Sequence, residues 1–332
     1  MPVETVDSTR WSVLSAEADP GIYGRADWLE PTCAALGLEP QYIAVNNRGT
    51  DALRVALARR RRFGRELLVT PAVAAYSGWA EAFPADLSDE RREGRLHDVL
   101  GEFIDWAEAR ADFVRVILPP EANDLRPFLW RGWTVEPRYT YRVTLGDELS
   151  LDSMRQSVRR WIRSATDANL QLIRPKGELA VATADMTISP TFARQSERLP
   201  VRPDRWHDWL RSLVALPSVQ VLGVVDGDEP LASMIVGYDG NRAYELLAGT
   251  TPRGMETGAG VYVVWQAFLE ARQRVREFDF AGANMESIAK FKRGFGGELV
   301  RYNAVSWSRS SFDRWVATGA PRLKSRVTRR FL

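Results

Sequence analysis

Runs of β-type residues separated by turn signals alternate along this chain with stretches of helical spacing. In the first half, strands are predicted at Tyr42–Val45, Ala52–Ala58 and Glu66–Thr70. Leu96, Val99, Leu100, Phe103, Ile104 and Ala107 recur on one face of a helix over about Glu93–Arg110. A buried-type strand at Phe113–Leu118, a helix over about Asn123–Trp130 and a strand at Thr140–Leu145 follow. The second half opens with a helix whose apolar face holds Met154, Val158, Trp161, Ile162 and Ala165. Arg155, Arg159, Arg160 and Arg163 lie largely on its other faces. One further helix is predicted over about Thr191–Leu213. Strands at Val219–Val225, Pro230–Tyr238 and Ala243–Gly249 are joined by Asp-Gly turns. A long apolar helix starts after Gly258-Ala259-Gly260. A strand at Glu277–Gly282, a helix at Met285–Lys292 and a strand at Glu298–Trp307 complete the pattern.

The two halves repeat one another. FVRVILPPEANDLRPFLWRGWTV, from Phe113, and EFDFAGANMESIAKFKRGFGGELV, from Glu277, both read strand, loop, helix, Arg-Gly-aromatic, strand. The repeat predicts a tandem duplication with its seam near Leu145–Leu151. The expected fold class is α/β (α+β): two tandem domains, each a mixed, mostly antiparallel sheet flanked by helices. The expected boundaries are 1–147 and 148–310, with a basic segment at 311–332 that packs back on the first domain.

With 332 residues, 45% hydrophobic and 27% charged, two ordinary globular cores fit. The 12 tryptophans suit wide aromatic clefts and large cores equally. A net charge of +2 does not by itself point to nucleic acid. Three local arginine runs are more telling. Arg59–Arg65 reads as a hairpin with a basic tip, Arg155–Arg163 as a helix face, and Arg322–Arg330 as a tail open to RNA, an acidic membrane surface or plain solvent. The one cysteine, Cys33, has no intramolecular partner and belongs to no zinc cluster, which suits a reducing compartment. The start MPVETVDSTRW has no secretory pattern, and no apolar run approaches the ~20 residues of a transmembrane span. A cytoplasmic protein is expected.

Candidate chemistry gathers in the second half. Strand, glycine loop and helix start at Thr250–Gly260 form an arrangement whose free N–H groups suit an anion. It is neither a Walker loop nor a dinucleotide fingerprint, and a flexible connection explains the glycines as well. Glu245, on an apolar strand, is a candidate general base; the alternative is an outward-facing or salt-bridged glutamate. His97 and His207 read as solvated or packed side chains. The segment Phe291-Lys292-Arg293-Gly294-Phe295 either stops a helix or receives an anion. Because Arg-Gly-aromatic also occurs at Arg131–Trp133, Gly294 is expected to end the helix by a positive φ. Lys292 corresponds to Trp130, so the lysine is not needed to build the turn. Lys292→Ala is therefore expected to lose activity with little loss of stability, and Gly294→Val to lose the fold.

FDFAGAN and IAKFKRGFGGELVRY resemble the signature of the Fem family of peptidoglycan bridge-forming aminoacyltransferases and of the BioF2-like acetyltransferase domains of the GNAT superfamily. The resemblance is best over Ser150–Trp307 and traceable over Trp28–Leu145, including TPAVAAYSG. It implies two GNAT-like domains and transfer of an acyl group to an amine. The donor would be an acyl-CoA or an aminoacyl-tRNA, and the acceptor a small-molecule or cell-wall-precursor amine. It also implies no permanently bound cofactor, no metal and no DNA partner, with tRNA left open. By position it puts a donor phosphate near Phe291 and Lys292. Arg293, Gly282, Gly258 and Gly260 are the accompanying donor-side candidates. Glu245 joins Lys292 as a catalytic candidate, and Tyr76 and Arg159 are acceptor-side candidates. The long coiled-coil arm of some Fem enzymes is absent. A non-catalytic module binding a nucleotide or cell-wall precursor is the alternative.

Overall fold

A computed structural model describes residues 3–47, 50–147, 149–195 and 197–318. In chain order the first half runs β1 (Val3–Val6), α1 (Ser8–Glu17), α2 (Ala26–Leu36), β2 (Glu39–Asn47), β3 (Thr50–Arg62), β4 (Arg65–Val69), β5 (Gly78–Glu81), α3 (Asp89–Arg110), β6 (Phe113–Leu118), α4 (Arg126–Trp130) and β7 (Thr134–Thr144). The second half runs α5 (Gln156–Asp167), β8 (Gln171–Ile173), α6 (Gly177–Arg194), α7 (Pro203–Val214), β9 (Val219–Asp226), β10 (Glu229–Tyr238), β11 (Arg242–Thr250), α8 (Pro252–Thr257), α9 (Ala259–Ala271), β12 (Glu277–Asp279), α10 (Glu286–Lys292), β13 (Glu298–Ser308) and α11 (Ser311–Thr318). Among the described residues no helix is long and apolar enough to cross a membrane. The chain divides into two compact units, Met1–Arg138 with Arg301–Leu332, and Tyr139–Val300.

In the first unit the strand order is β1-β2-β3-β4-β6-β13, with β5 on β3. Every pair is antiparallel except β4 and β6. The period of two along β2 decides its faces. Ile43 and Val45 join Val99, Leu100, Phe103 and Ile104 of α3 in one core. Tyr42 points the other way and stacks on Trp11 of α1, with ring centroids 5.0 Å apart. The basic hairpin is present: Arg62 pairs with Arg65 across a two-residue turn, Phe63-Gly64, in which both residues have positive φ. Helix α11 belongs to this unit, with its Val316 carbonyl accepting from Arg62 and its Asp313 paired with Arg65. The tail Arg322–Arg330 lies outside the described residues. Cys33 is buried in α2, and burial, with Glu30 nearby, pushes its thiol up to about 12. Native protein should therefore resist iodoacetamide at neutral pH, since the thiolate is the nucleophile. Mass spectrometry before and after unfolding checks this, and rapid native alkylation would contradict it.

In the second unit the order is β7-β12-β11-β10-β9-β8, antiparallel except for β11 and β12. Val158, Ile162 and Ala165 of α5 and Val263, Val264, Ala267 and Phe268 of α9 cover one face. Phe268, Phe278, Phe280 and Phe295 interlock there, with centroids 5.0 to 5.9 Å apart. Helix α6 lies on the other face, close enough that a Cβ on Gly249 would overlap the Thr187 carbonyl.

Each repeat carries an antiparallel hairpin, a helix, a strand parallel to the hairpin's second member, a short helix and a last strand. The last strands are exchanged. β7, from the first repeat, pairs with β12, and β13, from the second, pairs with β6. This is why the structural division falls inside β7 and β13, whereas the sequence expectation put it at 147/148 and at 310. The predicted helix over Thr191–Leu213 is instead the end of α6 and all of α7. The break contains Pro200, and Pro203 opens the new helix.

Candidate active site

Parallel pairing of β11 with β12 runs only from Arg242↔Glu277 to Tyr244↔Asp279. Past that point β11 continues to Thr250, while the other chain turns away through Ala281 (φ 53°) and Gly282 (φ 126°). The register between β10 and β11 shifts at the same level, Ile235 facing Leu247 and Val236 facing Glu245, so β11 carries one extra residue. Such a bulge bends and twists its strand and re-aims the side chains beside it. The two strands thus open a wedge.

Asp279 holds the bend. Its fully buried carboxylate accepts from the Ala281 N–H (2.8 Å), the Thr140 hydroxyl (2.7 Å) and Arg142 Nε (2.9 Å). Thr140 Oγ1 in turn accepts from the Gly282 N–H at 3.1 Å. Thr140 and Arg142 lie two apart on β7 and so share one face.

Lys292, the last residue of α10, closes the wedge from its other side. It is only 4% exposed. Its Nζ donates to the carbonyls of Phe280 (2.6 Å) and Gly282 (2.9 Å) and pairs with Glu245 Oε1 at 3.0 Å. An ammonium has three N–H donors, and the Phe280 and Gly282 carbonyls and the Glu245 carboxylate are among the acceptors around this one. Phe280 also presents its ring, the centroid 5.3 Å from Nζ. Lys292, Glu245 and Gly282, picked separately from the sequence, therefore meet. The salt-bridged alternative for Glu245 is the arrangement observed. Lys292 ties α10 to the bend and to β11, so the expectation that it has little part in stability gives way to the opposite prediction.

Phe291 and Arg293 flank Lys292 on the exposed surface, and the Phe291 ring centroid lies 5.1 Å from that of Phe295. The reading of Gly294 as the positive-φ residue is also corrected. Gly296 takes that conformation (φ 80°), after a short 3-10 turn at Arg293–Phe295. A Cβ on Gly294 would meet only the movable Val158 Cγ2 at 2.8 Å, but on Gly296 it would meet the Ser153 carbonyl oxygen at 2.6 Å. Gly296→Ala should thus destabilise the protein by about 1 kcal/mol or more beyond Gly294→Ala. Urea unfolding of the two variants decides the order, and equal midpoints would refute it.

The glycine loop holds a short helix, α8, capped by Thr251. Gly258 (φ 79°) lies against Trp161, and a Cβ on Gly260 would overlap the Thr250 hydroxyl, so packing accounts for both glycines. Arg159 pairs with Asp152 at 3.1 Å on the partly exposed flank of α5. Tyr76 belongs to the first unit, buried edge-on against Tyr23 and Tyr302. Of the histidines, His97 is half-buried on Asp124 (2.7 Å), and His207 is exposed and paired with Asp185 (3.0 Å). Asp279, Thr140 and Arg142 escape sequence reasoning. An acid inside the apolar run Phe278–Phe280 is the one signal that could have found the first of them.

A parallel strand pair that opens into a wedge, with α9 between the two strands in the chain and α10 closing the far side, forms the candidate site. Residues 152–293 match the family model described as Acetyltransferase (GNAT) domain. The fold extends further in solved structures. FemX is 12% identical, with 91% of this chain and 97% of that one covered and a TM-score of 0.66. L-PGS from Bacillus licheniformis is 12% identical, with coverages of 95% and 96% and a TM-score of 0.59. A tandem GNAT protein from the clavulanic acid biosynthesis pathway is 12% identical, with coverages of 93% and 98% and a TM-score of 0.50. No curated protein matches the sequence.

Proposed function

We propose that this chain is a Fem-like acyltransferase acting in the cytoplasm. It moves an acyl or aminoacyl group from a CoA thioester or an aminoacyl-tRNA ester to the amine of a small molecule or cell-wall precursor. The observation that carries this reading is the wedge between β11 and β12 inside the GNAT domain, with Glu245 and Lys292 at its base. Between Tyr244 and Thr250, whose N–H and carbonyl bond Thr191 and Arg194, the β12-side edge of β11 offers backbone groups to an extended donor, as an added strand would use them. The neutral amine attacks the acyl carbon, a C–N bond forms, and the thiolate or ribose oxygen leaves. Glu245 receives the amine proton in this reading. Lys292, fixed by Phe280 and Gly282, supplies positive charge beside the developing oxyanion without having to reorganise. Phe291, Arg293 and the loop at Gly258–Gly260 are the proposed donor contacts, and Arg159 the proposed acceptor contact.

Heat unfolding in acetyl-CoA, in a mixed aminoacyl-tRNA pool and in neither should show protection by one donor, because a ligand of the folded state raises its stability. Label from that donor should then pass to an amine in cell extract. Absence of both protection and transfer would sink the reading. A second reading, a binding module without turnover, draws on the inward commitment of the Lys292 ammonium. Protection without transfer would favour it.

A further inference from the structure

The hairpin tip of the first unit breaks a local rule with no gain for the fold. Phe63 occupies the first position of a turn that demands positive φ, where Asn, Asp or Gly is usual, and its φ is 49°. Its side chain is 72% exposed, so burial of the ring does not offset the strained backbone. Such an outlier is a reason to look for function. Phe63 is not alone. Arg62 stands over its ring at 5.3 Å and donates to the Val316 carbonyl of α11 at 3.0 Å. On α11, Phe312 and Trp315 are 51% and 43% exposed and stack on each other at 5.8 Å. Arg65 pairs with the buried Asp313 and lies 5.6 Å from the Phe312 ring. Exposed aromatics this close together are uncommon on a soluble surface.

The charge around them is basic. Arg59 to Arg62, Arg65 and Arg314 are opposed by Glu39, Glu66, Asp112 and Asp313, the last of these buried. Beyond α11 the sequence continues into Arg322, Lys324, Arg326, Arg329 and Arg330 with no acidic residue. We propose that the Phe63 hairpin tip and the Phe312–Trp315 face of α11 form a docking surface for an anionic lipid bilayer. Aromatic rings enter the headgroup boundary while arginines meet the lipid phosphates. A single-stranded nucleic acid fits less well. Binding along a strand needs a basic groove that tracks the nucleic-acid backbone, whereas these rings stand on a hairpin tip and on the outer face of a short helix.

Co-sedimentation of the full chain with vesicles tests this. Phosphatidylcholine vesicles containing phosphatidylglycerol should bring the protein down, and phosphatidylcholine alone should not. Added salt should weaken the binding. Phe63→Asn places a turn-favouring residue at the strained position, so its Tm should equal or exceed the parent's. Its vesicle partition constant should nevertheless fall about fivefold through loss of buried apolar area. Phe312→Ser should act in the same direction. The proposal is overturned if phosphatidylglycerol vesicles fail to bind the chain, if F63N binds as the parent does, or if polyuridylate is bound and vesicles are ignored.

Discussion

Lys292→Ala should unfold well below the parent, with a stability loss of about 3–5 kcal/mol, the usual result of breaking a buried ion pair by removing one partner. The variant keeps Glu245, whose side chain is 14% exposed, and removes the donor to the Phe280 and Gly282 carbonyls. In a unit of this size that corresponds to a Tm lower by roughly 10 °C. Lys292→Met retains the aliphatic stem, so it separates lost charge from lost packing. Combining it with Glu245→Gln should restore part of the loss, with a coupling of about 1–3 kcal/mol, because the two residues touch. Urea denaturation of the two single variants and the double variant gives the cycle. Strict additivity, or a Lys292→Ala midpoint equal to the parent's, would return the lysine to a purely chemical role. Acyl transfer measured on the fraction that remains folded keeps the two roles apart.

Replacement of Asp279 should cost as much again. Asp279→Ala takes the carboxylate from Arg142 Nε, the Thr140 hydroxyl and the Ala281 N–H together, a loss of about 3–5 kcal/mol. It also frees the bend whose carbonyls receive Lys292, so transfer should fall even at temperatures where the variant is folded. Asp279→Asn keeps one acceptor oxygen for Ala281 and should lie between parent and alanine variant. A chemical-denaturation series with a parallel transfer assay would show this order. An Asp279→Ala protein as stable and as active as the parent would mean that the bend holds without its anchor.

Much of the architecture was written in the hydrophobic pattern. The face of α3, the basic hairpin and the strands β9 to β11 all follow from periodicity and turn chemistry, which are local. Local reading failed where a choice depended on residues far away. Gly294 looked like the helix end because it aligned with Gly132. Yet Ser153, more than 100 positions upstream of the turn, is what makes Gly296 irreplaceable. Lys292 looked dispensable because the first repeat has Trp130 in its place. Its worth comes from a carboxylate on β11 and from two carbonyls that point inward only because Asp279 turns the chain. Asp279 owes its effect to β7, and no hydrophobic pattern records which strand a given strand will lie beside. The paired prolines between α6 and α7, by contrast, were local and legible; the continuous helix predicted there gave them too little weight.

The exchange of last strands makes the two halves of the chain inseparable in a physical sense. Two copies of an ancestral domain set side by side could each be cut free. Here a cut at the repeat seam leaves the first piece without β13 and the second without β7, each with an open sheet edge of the kind that pairs with other chains. The ladder on β6 cannot be completed until a strand nearly 200 residues later has been made. That long loop closure makes late assembly intrinsic to the topology. For the same reason, strand pairing cannot be lost from either half without loosening a chain segment that the other half needs.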